Sequence, residues 1–261
     1  MIKKLFGESR KIVFKFGSST LADELGKIEV DFFNAFAAEC AQIIKEGKQI
    51  VIVSSGAQAA GLSITHKFSR KKDIHYRQAL CAVGQVELMG AWQRAFAAFN
   101  LHVAQILLTG DDFKDQNRTL NMRNTLFTLV DEGIIPIINE NDSVCVEEIK
   151  IGDNDTLAAQ SAVLWGADLL VLFSDIDGLF DKNPNTNSDA VFIEKVTDIE
   201  ALCKVINTEG TSFFGSGGID TKLNAAKEAK SYGIPTILTR GKPSPIKKLF
   251  DGEQRGTVFV S

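Results

Sequence analysis

The sequence has little of what builds metal or disulfide frameworks: four cysteines in 261 residues, Cys40, Cys81, Cys145 and Cys203, with no Cys-x-x-Cys pair. Buried, reduced thiols are the expectation for such scattered positions. The three histidines, His66, His75 and His102, form no His-Glu-x-x-His motif, so no resident metal site is expected. Any metal ion is expected to arrive with a substrate. Long apolar runs are also missing: residues 134–138 fall far short of the roughly 20 needed to span a bilayer. No secretory signal is read at the start. Nor is there an excess of positive charge, since the formal net charge is -4 and the pI about 5.5. That balance argues against nucleic acid or an anionic membrane as partner. These absences together predict a cytoplasmic protein.

Two nucleotide-binding signatures are absent as well. No Gly-Lys pair is followed by Ser or Thr, as a P-loop requires, and no complete Gly-x-Gly-x-x-Gly follows the first strand. A P-loop enzyme and a typical dehydrogenase both lose ground. Internal repeats, heptad runs and low-complexity tracts are missing too, so one domain over residues 1–261 is expected.

What is present is a regular alternation. Short apolar runs at 11–16, 49–53, 102–108, 134–138 and 169–173 read as buried strands. Helical spacing fills 30–46, 77–99, 119–132 and 156–165, with Gly47, Gly133 and Gly166 placed to close three of the helices. A further αβ step joins a helix over 222–232 to a strand at 236–238, and a last strand is expected at 257–260. Polar stretches at 67–75 and 181–188 read as exposed loops. The pattern predicts an α/β fold around a mainly parallel sheet.

In such a sheet, function gathers where strands end. Gly17, Ser18, Ser19 and Thr20 follow the first strand, and Ser54, Ser55, Gly56 and Ala57 the second. Asn139, Glu140, Asn141 and Asp142 follow the fourth; Ser174, Asp175, Asp177 and Gly178 follow the fifth. Glycine, hydroxyl and amide groups of this kind suit anion binding, although each loop alone also suits an ordinary turn. Lys15 lies inside an apolar strand, where burial is costly without an anionic partner, and Gly17 follows it closely. Snorkelling to solvent is the plainer alternative. Residues 214–222 combine a glycine-rich loop with a helix start carrying Lys222, where Asp220 or Thr221 can cap and a phosphate can meet the helix dipole. The run Gly152-Asp153-Asn154-Asp155 also precedes a helix. Capping explains one of its polar residues, and a substrate site is favoured for the set.

Taken in order, these segments resemble the amino acid kinase family over essentially the whole chain. The resemblance rests on Lys15-Phe16-Gly17-Ser18-Ser19, Ser54-Ser55-Gly56-Ala57 with Ala60-Gly61, Asn139-Glu140-Asn141-Asp142, and Gly152-Asp153-Asn154-Asp155. Ser174-Asp175 with Gly178-Leu179, and Ser216-Gly217-Gly218 with Thr221-Lys222, complete it. The Asn-Glu-Asn-Asp and Gly-Asp-Asn-Asp runs are similar to those of members that phosphorylate the side-chain carboxylate of L-glutamate. They differ from acetylglutamate, aspartate, carbamate or uridylate relatives.

The resemblance implies a three-layer αβα sandwich around an eight-stranded, mainly parallel sheet, and ATP with magnesium as cosubstrate. By it, Lys15 and Lys222 contact the transferring phosphoryl group and Asp155 holds both lysines. Ser55, Gly56, Asp142, Asp153 and Asn154 bind glutamate. Lys15, Ser174, Asp175, Ser216, Gly217, Gly218, Ile219, Asp220, Thr221 and Lys222 bind the nucleotide. About 1–165 would form the acceptor-binding lobe and 166–261 the nucleotide-binding lobe. A homo-oligomer and feedback inhibition by proline are also implied, with the loop at 67–75 a candidate for that control. Two departures stand out: many bacterial members carry a C-terminal PUA domain that this sequence does not show, and Phe180 stands where relatives often have tyrosine. Alternatives are another carboxylate acceptor and a sensor that binds nucleotide and amino acid without turnover.

Overall fold

The computed structural model describes residues 1–66, 73–145, 154–182, 187–208, 218–241 and 245–260. Helix α1 (Ile2–Glu8) leads into β1 (Lys11–Phe16), followed by the single turn α2 (Ser18–Leu21), α3 (Val30–Lys45) and β2 (Gln49–Ser54). Helices α4 (Ala57–Thr65) and α5 (Ile74–Ala97) precede β3 (His102–Leu108), and α6 (Gln116–Asp131) precedes β4 (Ile134–Glu140). Next come α7 (Asp155–Trp165), β5 (Leu169–Ser174), the short strands β6 (Leu179–Phe180), β7 (Phe192–Ile193) and β8 (Lys195–Val196), and α8 (Ile199–Thr208). Helix α9 (Gly218–Ser231), β9 (Thr236–Arg240), α10 (Pro245–Asp251) and β10 (Gly256–Phe259) complete the described elements.

Eight strands form one sheet in the order β3-β4-β2-β1-β5-β9-β10-β8. Every neighbouring pair is parallel except β9 with β10, because helices carry the chain back between most successive strands. Side chains of β1 alternate between the two faces. Ile12, Phe14 and Phe16 enter one core with α1, α3, α5 and α10, where Phe16 stacks on Phe173 at 4.7 Å and meets Phe36 edge-on at 4.7 Å. Val13 enters the other core, with Leu157, Ala158 and Ala162 of α7 and Leu223 and Ala226 of α9. The αβα sandwich expected from the sequence is therefore observed.

Most expected strands and helices are found, with Gly47, Gly133 and Gly166 at positive φ after their helices. Four readings need correction. Strand β3, read as buried, is an edge strand whose residues are mostly half-buried or exposed, because only β4 pairs with it. Helix α5 starts three residues earlier than its spacing suggested, since the Asp73 carboxylate accepts from the backbone N–H of His75 and Tyr76. Most of the expected loop at 67–75 lies outside the described residues, and its last two residues are helical. Neither Asp220 nor Thr221 caps α9, which begins at Gly218.

Helices α4 and α5 cross almost in backbone contact. A Cβ on Gly84 would stand 1.8 Å from the carbonyl oxygen of Ala57 and 2.3 Å from the nitrogen of Gly61. This approach sets one side of α5 against the loop after β2. Gly84→Ala is expected to cost about 1–3 kcal/mol through overpacking, read as a lower urea midpoint with unchanged slope. An unchanged midpoint would refute the close crossing.

Candidate active site

Strands β1, β2, β4 and β5 run in the same direction, so the loops after them share one rim of the sheet. Lys15 lies on the same face of β1 as Val13 and so points toward α7 and α9. Asp155 opens α7, and Lys222 lies in the first turns of α9. The Lys15 ammonium is 2.5 Å from Asp155 Oδ1, and the Lys222 ammonium donates to Asp155 Oδ2 at 3.0 Å. Thr221 Oγ1 donates to the same Oδ2 at 3.1 Å, and Lys222 Nζ also donates to the Gly218 carbonyl at 3.0 Å. Lys15 is 2 % exposed, Asp155 0 % and Lys222 8 %, so Lys15 does not snorkel. The three expected catalytic residues thus meet in one cluster, drawn from three separate elements.

Beside it, at the ends of β2 and β4, lies a cleft of about 260 Å³. Ser55, Gly56, Asn139 and Asp142 line it, with Gln58, Arg77 and Cys81. Gly56 holds φ at 106°, a left-handed turn that carries β2 directly into α4 and that glycine accepts without strain. Asn154 occupies the N-cap position of α7, yet its side chain makes no cap bond. Instead Asn154 Nδ2 donates to Ser55 Oγ at 3.0 Å and to Asn139 Oδ1 at 2.7 Å. Capping therefore does not account for this residue. With both amide hydrogens committed, Asn154 keeps Oδ1, buried and without a hydrogen-bond partner, as an acceptor. Asp142 is buried, which pushes its carboxyl up to about 6 against the lowering influence of a Cys81 hydrogen bond and the Arg77 charge.

The chain of amides continues inward, because Asn139 Nδ2 donates to Gln85 Oε1 at 2.8 Å. Gln85 was not foreseen from the sequence. Its signal is a polar residue on the buried stripe Cys81, Gly84, Gln85 and Leu88 of α5. Arg77 and Gln58 were missed too, because nothing local marks them.

On the other side, Ser174 ends β5 and donates to Asp175 Oδ1 at 3.0 Å. Asp175 and Asp220 are exposed, Gly218 opens α9, and the Ile219 side chain belongs to the core packed against α7. Thr221 faces Asp155. Asp153, Ser216 and Gly217 lie outside the described residues. Phe180 meets Phe192 edge-on at 5.2 Å in the β6–β7 ribbon, so its ring contributes packing at that position. Among the described residues no three His, Cys, Asp or Glu side chains gather into a metal site, and no helix is long and apolar enough to cross a membrane.

A sequence model described as the amino acid kinase family matches residues 10–240. The chain belongs to the amino acid kinase family. It is 54% identical over 260 residues to a protein of Alkaliphilus metalliredigens named glutamate 5-kinase, covering 99% of this chain and 98% of that one. A glutamate 5-kinase of Treponema pallidum is 42% identical, with 100% and 99% covered, and one of Methanococcoides burtonii is 42% identical, with 99% and 70% covered. Among solved kinases of this family fold, carbamate kinase from Giardia lamblia bound to AMP-PNP superposes with a TM-score of 0.68 at 16% identity, covering 97% of this chain and 99% of that one. UMP kinase from Bacillus anthracis gives 0.62 at 16% identity, with 97% and 96% covered. At those identities the likeness is one of fold.

The amide chain makes its own prediction. Gln85→Leu leaves the buried Asn139 Nδ2 without its acceptor and is expected to cost about 1–3 kcal/mol in chemical denaturation, whereas Gln85→Glu, which keeps an acceptor oxygen, recovers most of it. Equal stability of the two variants would argue against the bond.

Proposed function

We propose that this amino acid kinase transfers the γ-phosphoryl group of ATP to the side-chain carboxylate of L-glutamate, giving L-glutamyl 5-phosphate and ADP, the first step of proline biosynthesis. The observation that carries the reading is the double lysine clamp. Two ammonium groups from distant parts of the chain hold opposite oxygens of one buried carboxylate, so a single phosphoryl group can reach both. The full-length similarity to proteins named glutamate 5-kinase supports the choice of acceptor.

A carboxylate is already ionised at neutral pH, so no general base is required. An acceptor oxygen forms a bond to the γ-phosphorus while the bond to the bridging β,γ-oxygen breaks, and ADP leaves with that electron pair. No proton moves. The transition state spreads negative charge over the phosphoryl oxygens, which Lys15 and Lys222 meet at short range. One such contact at 4 Å is worth on the order of 4 kcal/mol before desolvation. Asp155 aims both ammonium groups. Magnesium arriving with ATP would add to the neutralisation of phosphoryl charge that Lys15 and Lys222 provide.

Ser55, Gly56, Asp142, Asp153 and Asn154 bind the acceptor, with Asp142 and the Asn154 carbonyl as acceptors for its α-ammonium. Ser174, Asp175, Ser216, Gly217, Gly218, Ile219, Asp220, Thr221 and the two lysines bind the nucleotide, Ile219 through its backbone. About 1–165 then serve the acceptor and 166–261 the nucleotide. Proline, which shares the α-amino acid end of the substrate, competes in the same cleft, and the chain works in the cytoplasm as a homo-oligomer.

Lys15→Ala and Lys222→Ala are each expected to lower kcat by roughly 10² to 10³, measured by trapping the acyl phosphate with hydroxylamine. Near-normal turnover by either folded variant would refute the clamp. With a carboxyl near 6, Asp142 is ionised above that pH and protonated below it. The glutamate KM is therefore expected to be flat above pH 7 and to rise by about tenfold from that plateau to pH 5, a dependence that Asp142→Asn abolishes. A KM that falls on acidification would contradict this role.

A further inference from the structure

The cleft beside the clamp is lined by three acidic side chains, Asp23, Glu24 and Asp142, and by one cationic one, Arg77. Asp23 is engaged in its own turn, its Oδ1 accepting from the backbone N–H of Leu25 and of Lys27 at 2.9 Å each. Arg77 is held differently. Its Nε donates to Gln58 Oε1 at 2.8 Å, which fixes the plane of the guanidinium from behind. Among the described residues no hydrogen bond or ion pair engages its two terminal nitrogens. Arg77 is half-buried on the first turns of α5, one turn before Cys81, which also lines the cleft and bonds Asp142.

An arginine kept rigid through Nε and left open at the other edge presents the fork that matches a carboxylate in two parallel hydrogen bonds. Resting on the glutamate-phosphorylating reading above, we propose that Arg77 is the specificity-determining residue that binds the α-carboxylate of the acceptor, with Gln58 as its positioning partner. The assignment follows from charge matching. Glutamate carries two carboxylates and one ammonium; the side-chain carboxylate must reach the phosphoryl group at the Lys15–Lys222 clamp. The α-ammonium finds anions in the cleft, and the α-carboxylate finds one cation. Arg77 and the clamp then read the two ends of the acceptor, so the site measures both the charge of each end and their separation. An acceptor with a free side-chain carboxylate but a neutral α-group is rejected at Arg77.

The test pairs a change in the protein with a change in the ligand. Wild type, Arg77→Gln and Arg77→Lys are assayed with glutamate and with its α-carboxamide, isoglutamine, which keeps the reactive carboxylate. Wild type is expected to favour glutamate by about 10²-fold in kcat/KM, from loss of a charge-assisted pair. In Arg77→Gln that preference falls to within about threefold, almost entirely through a higher glutamate KM, while the ATP KM stays within about twofold. Arg77→Lys, which keeps charge without the fork, retains part of the preference. Gln58→Leu, which frees the guanidinium, raises the glutamate KM by less than Arg77→Gln does. A preference unchanged in Arg77→Gln, alongside normal turnover of glutamate by wild type, overturns the Arg77 assignment alone. Failure of wild type to phosphorylate glutamate at all overturns the activity on which the assignment rests.

Discussion

One buried carboxylate organises this molecule. Asp155 sits where β1, α7 and α9 meet, and each of its oxygens holds an ammonium group contributed by a different element. Burying two lysines beside an apolar sheet face is strongly unfavourable unless an anion lies between them, and removing that anion would leave like charges facing each other. The packing of α7 against β1 and α9 therefore has an electrostatic condition attached to it. What stabilises the fold here also fixes the spacing of the two ammonium groups, because the lysines cannot move apart without breaking bonds to Asp155.

The cleft beside the lysine clamp is held by neutral groups. Ser55, Asn154, Asn139 and Gln85 form a line of side-chain hydrogen bonds running from the cleft into the body of the protein. Each amide fixes the orientation of the next, so the Asn154 carbonyl is an acceptor by construction and not by chance of rotamer. The crossing of α4 and α5 at Gly84 brings the same cleft together from the other side. Neutral walls thus surround the few charged groups that line the cleft, Asp23, Glu24, Asp142 and Arg77.

The parallel sheet and its rim of polar loops were legible in the sequence, because buried parallel strands leave short apolar runs and their ends leave glycine, serine and asparagine. The edge position of β3 was not, since an apolar run does not say how many neighbours a strand has. Lys15 shows both the strength and the limit of local reasoning. A lysine in an apolar strand suggested an anionic partner, and Asp155 is there. Yet Lys48, 9 % exposed, is nearly as buried and donates to the carbonyls of Phe6, Gly7 and Ser9, closing the end of α1 with no part in the site. Burial of a lysine alone does not separate these cases; the loop that follows it does. Gln85, Gln58 and Arg77 were hidden because their significance lies in partners 19 to 54 residues away.

The most direct measurement is a crystal structure of the chain with ADP, magnesium, glutamate and aluminium fluoride standing in for the phosphoryl group in flight. Both Lys15 Nζ and Lys222 Nζ should lie within hydrogen-bond distance of the fluorides, with Asp155 still bridging them from behind. A complex in which either nitrogen points away from the aluminium, or in which Asp155 has released one lysine and no longer orients it, would contradict the account.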